Sequence, residues 1–200
     1  LPVDEAIVAK AEYIEYYFNV DPPGQGVNDP KYRKTTGEMG FSAGRRMGQE
    51  PQLHPDGTVW TVDRGFPTRI VKLDPRTGVS KDILMPNPLT ALHDLEIDKD
   101  GIIWVPENEG VPKTEPKLWK FDPKTEKWFE SYPFDPKKVI ADDTLKHPHS
   151  IDFDSHANVY VSYILGGALS VWNRETKQMS TYKIPTPNSR SEEHTSELQS

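Results

Sequence analysis

The sequence predicts an all-β chain, a β-propeller fragment of about three four-stranded blades with an N-terminal α-helix in front of it. Three observations predict it. Residues 53–60 (LHPDGTVW), 97–104 (IDKDGIIW) and 153–160 (FDSHANVY) align without a gap. Each is followed by a second matching block, at 70–78 (IVKLDPRTG), 118–126 (LWKFDPKTE) and 169–177 (LSVWNRETK). The large aromatic that closes the first block recurs at intervals of 44 and 56 residues, as Trp60, Trp104 and Tyr160. A period in this range, made of short strands and turns, marks the blades of a propeller.

The elements follow in order. Residues 4–18 (DEAIVAKAEYIEYYF) have Asp4 as a cap and Ile7, Ala11, Ile14 and Phe18 at helical spacing, so 1–20 is expected as a helix from an upstream region. Residues 21–48 lack sustained periodicity and read as a linker or a cover over the first blade. The blades are expected at 49–86, 91–133 and 147–185. Their first strands are placed at 91–97 and 150–153, and their second at 58–62, 102–105 and 158–162. Third strands fall at 69–73, 117–121 and 168–172, fourth strands at 79–84, 127–132 and 178–184. Asp56-Gly57 and Asp100-Gly101 are hairpin signals, with positive φ expected at both central residues. Asp74 and Asp122 are placed to accept backbone hydrogen bonds in the next turn, where Pro75 and Pro123 preset φ; Asn173 keeps the accepting group in the third blade. The recurring aromatic is read as packing between neighbouring sheets rather than as a ladder for stacking ligands. Two inserted stretches, 109–115 and 134–146, fall at blade ends, where propellers carry ligand and partner contacts.

The last eleven residues, 190–200 (RSEEHTSELQS), fit no part of this repeat. They match the translation of a common short-read sequencing adapter and are set aside as a non-native tail. The chain also starts at Leu1 without a Met, so it reads as a piece of a longer protein whose neighbouring blades are missing. The net charge of −7, or −5 without the tail, leaves no basic excess to neutralise phosphates and argues against nucleic acid as a partner. No apolar run approaches the roughly 20 residues of a membrane span. The absence of Cys excludes a disulfide framework and a thiolate zinc site within these residues.

Chemistry is expected at one end of the channel. In the repeat register His93 aligns with His149, each at the mouth of a first strand. A hairpin centred on Asp100 returns Glu107 opposite residue 93, and one centred between Asp100 and Gly101 returns Asn108. An imidazole beside a carboxylate can orient a general base or hold a divalent cation, and this donor set suits Mg²⁺ better than a closed zinc cage. Either residue can equally serve structure, since a His at the start of an inner strand can bond an adjacent loop. Arg64 and Arg69, near the same mouth, are candidates for an anionic ligand.

With His before strand one and Trp-x-x-Glu closing strand two, the blade resembles those of the virginiamycin B lyase (streptogramin lyase)-like propellers. The resemblance covers residues 49–189, three blades of a fold that has seven in that family. It implies a C–O lyase that opens type B streptogramins, cyclic depsipeptides, by elimination at an ester with Mg²⁺ required. It further implies His93 as base and Glu107 as the residue serving the metal. The family's second His belongs one blade earlier, where this chain has Gln49. Here the other His is His149, one blade later, and Tyr163 stands where that blade's Glu would be. His93 and His149 are therefore the candidate catalytic residues, Glu107 the metal residue, and a small molecule in the channel the expected ligand. Two alternatives stay open. One is a non-catalytic sensor or binding module of a secreted multidomain protein. The other is a gluconolactonase-like hydrolase, whose Ca²⁺ site would need Asn and Asp positions that are not evident. The expected location is extracellular or periplasmic.

Overall fold

A computed structural model describes residues 10, 14–35, 46–110, 115–134, 139–140, 147–164 and 166–185. These fold into three consecutive antiparallel sheets. The first is β1 (Gly48–Leu53), β2 (Val59–Asp63), β3 (Arg69–Asp74) and β4 (Val79–Leu84), hydrogen-bonded in that order. In the second, β5 (Thr90–Leu92) and β6 (Glu96–Ile97) share the innermost position beside β7 (Ile103–Gly110), followed by β8 (Lys117–Asp122) and β9 (Lys127–Pro133). The third is β10 (Pro148–Phe153), β11 (Val159–Tyr163), β12 (Ala168–Trp172) and β13 (Met179–Lys183). Each sheet is one blade. Among the described residues no helix is long and apolar enough to cross a membrane.

The aromatics do the packing expected of them in two blades. Trp60 meets Phe121 of blade two at 5.6 Å between ring centres, inside a core with Val62, Ile70, Leu92, Leu95 and Val105. Trp104 meets Trp172 of blade three at 4.9 Å, in a second core with Leu118, Ile151, Val159 and Val161. Each ring also has its polar atom satisfied by its own hairpin: Trp60 Nε1 donates to Thr58 Oγ1, Trp104 Nε1 to Asp98 Oδ2 and Tyr160 OH to Asp154 Oδ2. Buried rings with a polar handle need such partners.

The turns differ from expectation in one respect. Positive φ occurs at Gly57 (85°) and Gly101 (81°) but not at the Asp before either. The Gly57 N–H closes on the His54 carbonyl and the His54 N–H on that of Thr58, which makes a three-residue loop with the left-handed residue last. The Asp side chain is used instead to hold the loop: Asp56 Oδ1 accepts from the Thr58 N–H. In the next turns Asp74, Asp122 and Asn173 accept the N–H two residues on, as expected.

The helix expected over 4–18 falls mainly outside the described residues, and the part that is described, 14–18, is not helical. Side-chain ties to blade one account for the non-helical path. Tyr16 OH donates to the Pro75 carbonyl, Asn19 Nδ2 to that of Ser80, and Phe18 lies under the Arg46 guanidinium. Ile14, meant for the buried helical face, is 76% exposed. The segment 21–48 holds a 3-10 turn (Gly26–Asn28) and a short helix α1 (Pro30–Thr35), with Asp29 capping Lys31 N. Residues 109–115 and 134–146 are described only in part; Phe134 and Ile140 are buried beside Tyr163. The tail at 190–200 lies outside the described residues.

Candidate functional site

The inner strand of every blade carries an irregularity at the same place. The inner strand has one residue more than its partner between Gln49 and Gln52 in blade one, between Leu92 and Glu96 (the break between β5 and β6) in blade two, and between Pro148 and Ile151 in blade three. Glu50, in the first of these, has φ of 46°. A bulge of this kind bends its strand and re-aims the neighbouring side chains. Here it lies beside Gln49, His93 and His149, at equivalent places of the three blades.

The result is a pair. The imidazoles of His93 and His149, from adjacent blades, stack with centres 3.4 Å apart and planes at 27°. Both residues are buried, and His149 Nδ1 lies 3.1 Å from Ser150 Oγ. Sequence register placed the two in equivalent positions; the structure brings them into contact. At the corresponding point of blade one, Gln49 Oε1 accepts from Arg64 Nη1 at 3.1 Å.

Glu107 sits elsewhere on its strand than either hairpin centring requires. Its cross-strand partner is Leu92, not His93, because the inner strand has one extra residue between Leu92 and Glu96. Asp63 and Tyr163 hold the same position in their blades, opposite Gly48 and Pro148. Glu107 is buried, and its Oε2 accepts from the Lys117 N–H at 3.0 Å. Burial pushes its carboxyl above the ordinary range, against the pull of Trp119, the Lys117 N–H and the Lys117 charge. Among the described residues no three His, Asp or Glu side chains gather as metal ligands.

Sequence reading passed over Asp94. Its carboxyl is buried beside His93, with Oδ1 accepting from its neighbour Leu95 N at 2.8 Å and Oδ2 from Ile151 N of blade three at 3.0 Å. Burial, reinforced by the charges of Glu50 and Glu96, pushes it up to about 7. The available signal was an acidic residue directly after His93, in register with Glu50 and Ser150. Asp94 also lines a cleft of about 380 Å³ over the three inner strands, together with Glu50, Gln52, Glu96, Asp152 and Tyr160. Gln52 of blade one donates to Glu96 of blade two across it.

Arg69 is not presented to a ligand. It is 3% exposed, paired with Asp21 through Nη1 and Nη2 at 3.0 Å each and with Asp82 at 3.1 Å. Arg46 joins the same network through Asp63 and Asp82. These ions fasten the N-terminal segment to blade one.

Fold and site together define an arc of a β-propeller with two stacked histidines on the inner strands of adjacent blades. No protein-family model and no curated protein sequence matches this chain. Among solved structures it is similar to a streptogramin B lyase, with a TM-score of 0.56 and 18% identity over 72% of this chain and 42% of that one. It is also similar to virginiamycin B lyase from Staphylococcus aureus, at TM-score 0.55 and 16% identity over 72% of this chain and 43% of that one. A luciferin-regenerating enzyme matches at TM-score 0.50 and 16% identity, over 72% of this chain and 48% of its own. The chain thus spans less than half the length of each. What it shares with them is the propeller fold.

Proposed function

We propose that this arc belongs to a streptogramin lyase-like propeller in which His93, positioned by His149, acts as the base on a small cyclic ester held in the channel. The observation that carries the reading is the contact between the two imidazoles, which joins one residue from each of two blades at the mouth where a ligand enters. In the proposed elimination one imidazole, His93, takes a proton from the carbon adjacent to the one bearing the ester oxygen. The C–H electrons become the new double bond, the C–O bond breaks, and the carboxylate leaves with that electron pair. No water is added. His149, stacked on the base, fixes the plane of its ring. The Mg²⁺ implied by the family would supply positive charge to the leaving carboxylate, but Glu107 is turned to Lys117, so no step is assigned through it.

The test is ring opening of a type B streptogramin by the full-length protein, followed by mass spectrometry. The expected product is linear and equal in mass to the substrate. A general base contributes about 10²–10⁴-fold, so His93→Ala should lose at least about a hundredfold in turnover. Unchanged turnover in that variant would reject the assignment, as would a product heavier by one water.

A second reading, a binding module, is favoured by one observation. Gln49, where the family's second His belongs, is already bound by Arg64. Saturable binding of the streptogramin without product would select it.

A further inference from the structure

We infer that Asp94 is the positioning residue of the His93–His149 pair. The inference rests on reading that pair as the site, and it deepens that reading by naming what holds the two rings together. His93 and His149 belong to different blades, so no single hairpin fixes their separation. The aromatic core between blades two and three does not specify it either. Trp104, Trp172 and Phe153 lie on the far side of the bulges from the two rings. A link is needed at the mouth itself, and Asp94 supplies it.

Three facts make the link specific. Asp94 follows His93 directly, in the break between β5 and β6, and its Oδ1 accepts from its neighbour Leu95, which fixes the carboxyl relative to its own backbone. Its Oδ2 accepts from Ile151 N, the residue that ends the bulge of β10 and lies two past His149. β10 is the innermost strand of blade three, so the Ile151 N–H on its free edge has no ladder partner there, and a buried N–H of that kind must find an acceptor. One carboxyl therefore ties the backbone beside His93 to the backbone beside His149. With both anchors fixed, the two bulges can settle only where the rings meet. Blade one has Glu50 at the corresponding position and Gln49 in place of the His, and there the inter-blade bond is made further along, by Gln52 to Glu96.

The experiment compares Asp94→Ala, Asp94→Asn and the control Gln52→Ala in the full-length protein. The first readout is the nuclear Overhauser contact between the ring protons of His93 and His149, which reports the stack and needs no substrate. Asp94→Ala should abolish it. Asp94→Asn keeps one side-chain carbonyl able to accept from Ile151 N and should retain it. Gln52→Ala removes an inter-blade bond away from the pair and should leave it intact. The second readout is streptogramin turnover, where kcat should fall at least tenfold in Asp94→Ala with KM within twofold of wild type. A ring-to-ring contact that survives Asp94→Ala, or one lost equally in Gln52→Ala, overturns the inference. If Asp94→Ala does not fold, Asp94→Asn decides: the ring contact and the protection of the Ile151 N–H retained together or lost together support the inference, and either one changing without the other overturns it. If the stack depends on Asp94 while the wild type turns over nothing, the positioning role holds and the lyase reading fails.

Discussion

At the scale of single residues, two buried charged groups dominate, and they act in opposite directions. Asp94 is held at about 7 by burial, against an ordinary value of 3.8. The folded state therefore keeps a proton that the unfolded chain has released, so stability contributed by this group falls as pH rises from about 4 to 7. A shift of that size corresponds to a ceiling of about 4 kcal/mol. Urea unfolding at pH 5 and pH 8 should show wild type losing stability across the interval and Asp94→Asn losing clearly less. Equal losses would show that the carboxyl does not carry the effect. Arg69 works the other way, because its charge is paired. Replacing it with Ala removes the two-pronged partner of Asp21 and leaves Arg46 as the one guanidinium beside the fully buried Asp63, at a cost of up to about 3–5 kcal/mol. Lys99→Ala, which breaks only an exposed pair with Asp100, should stay within about 0.5 kcal/mol.

At the scale of elements, the repeat is conserved in backbone conformation where it is not conserved in residue type. Gly57, Gly101 and Ala157 are the same turn position in three blades, and all have positive φ, as do Gly78, Glu126 and Lys177 one turn later. A side chain in the left-handed region costs about 1–2 kcal/mol, part of which glycine gives back as chain entropy. Ala157→Gly and Lys177→Gly should therefore each raise the unfolding free energy by about 0.5–1 kcal/mol in denaturant titrations. The reverse changes separate two causes. Gly57→Ala meets strain alone, since no atom lies within 4 Å of the new Cβ, whereas in Gly101→Ala the Cβ comes 2.9 Å from His54 Nε2. The second substitution should be the more damaging of the two, and a smaller effect at Gly101 than at Gly57 would contradict this account. The strands and these turns were legible because alternation and turn chemistry are local. The inner-strand bulges were not, since no Gly marks them and Glu50 takes positive φ without one. Missing them put Glu107 opposite His93, when its partner is Leu92. The path of residues 14–18, the described end of the expected N-terminal helix, was hidden for a related reason. Its spacing suited a helix, but Tyr16, Asn19 and Asp21 each bond to blade one, a tertiary preference that a periodicity cannot express.

At the scale of the whole molecule, the arc is held by two cores that share the middle blade, with Trp60 in one and Trp104 in the other. Repeat architectures of this kind derive stability from each unit and from the interfaces between neighbours, so loss of one interface should release one blade rather than the whole. Trp104 contacts Trp172, Phe153 and Tyr132, so Trp104→Ala empties the interface of blades two and three. Truncating a buried Trp costs about 3–5 kcal/mol. Trp60→Ala does the same between blades one and two, where Phe121 is the facing ring. Two further contacts at the outer strands brace that interface, with no counterpart at the outer strands of blades two and three among the described residues: Trp128 Nε1 donates to the Leu84 carbonyl, and Lys81 pairs with Glu126. Amide hydrogen exchange separates the cases. In Trp104→Ala, protection should fall first in β10 to β13, with β1 to β4 close to wild type. In Trp60→Ala the loss should concentrate in β1 to β4 and be smaller, because the extra contacts remain. A uniform loss of protection over all three sheets in either variant would mean that the arc unfolds as one unit and that the interfaces are not the points of division.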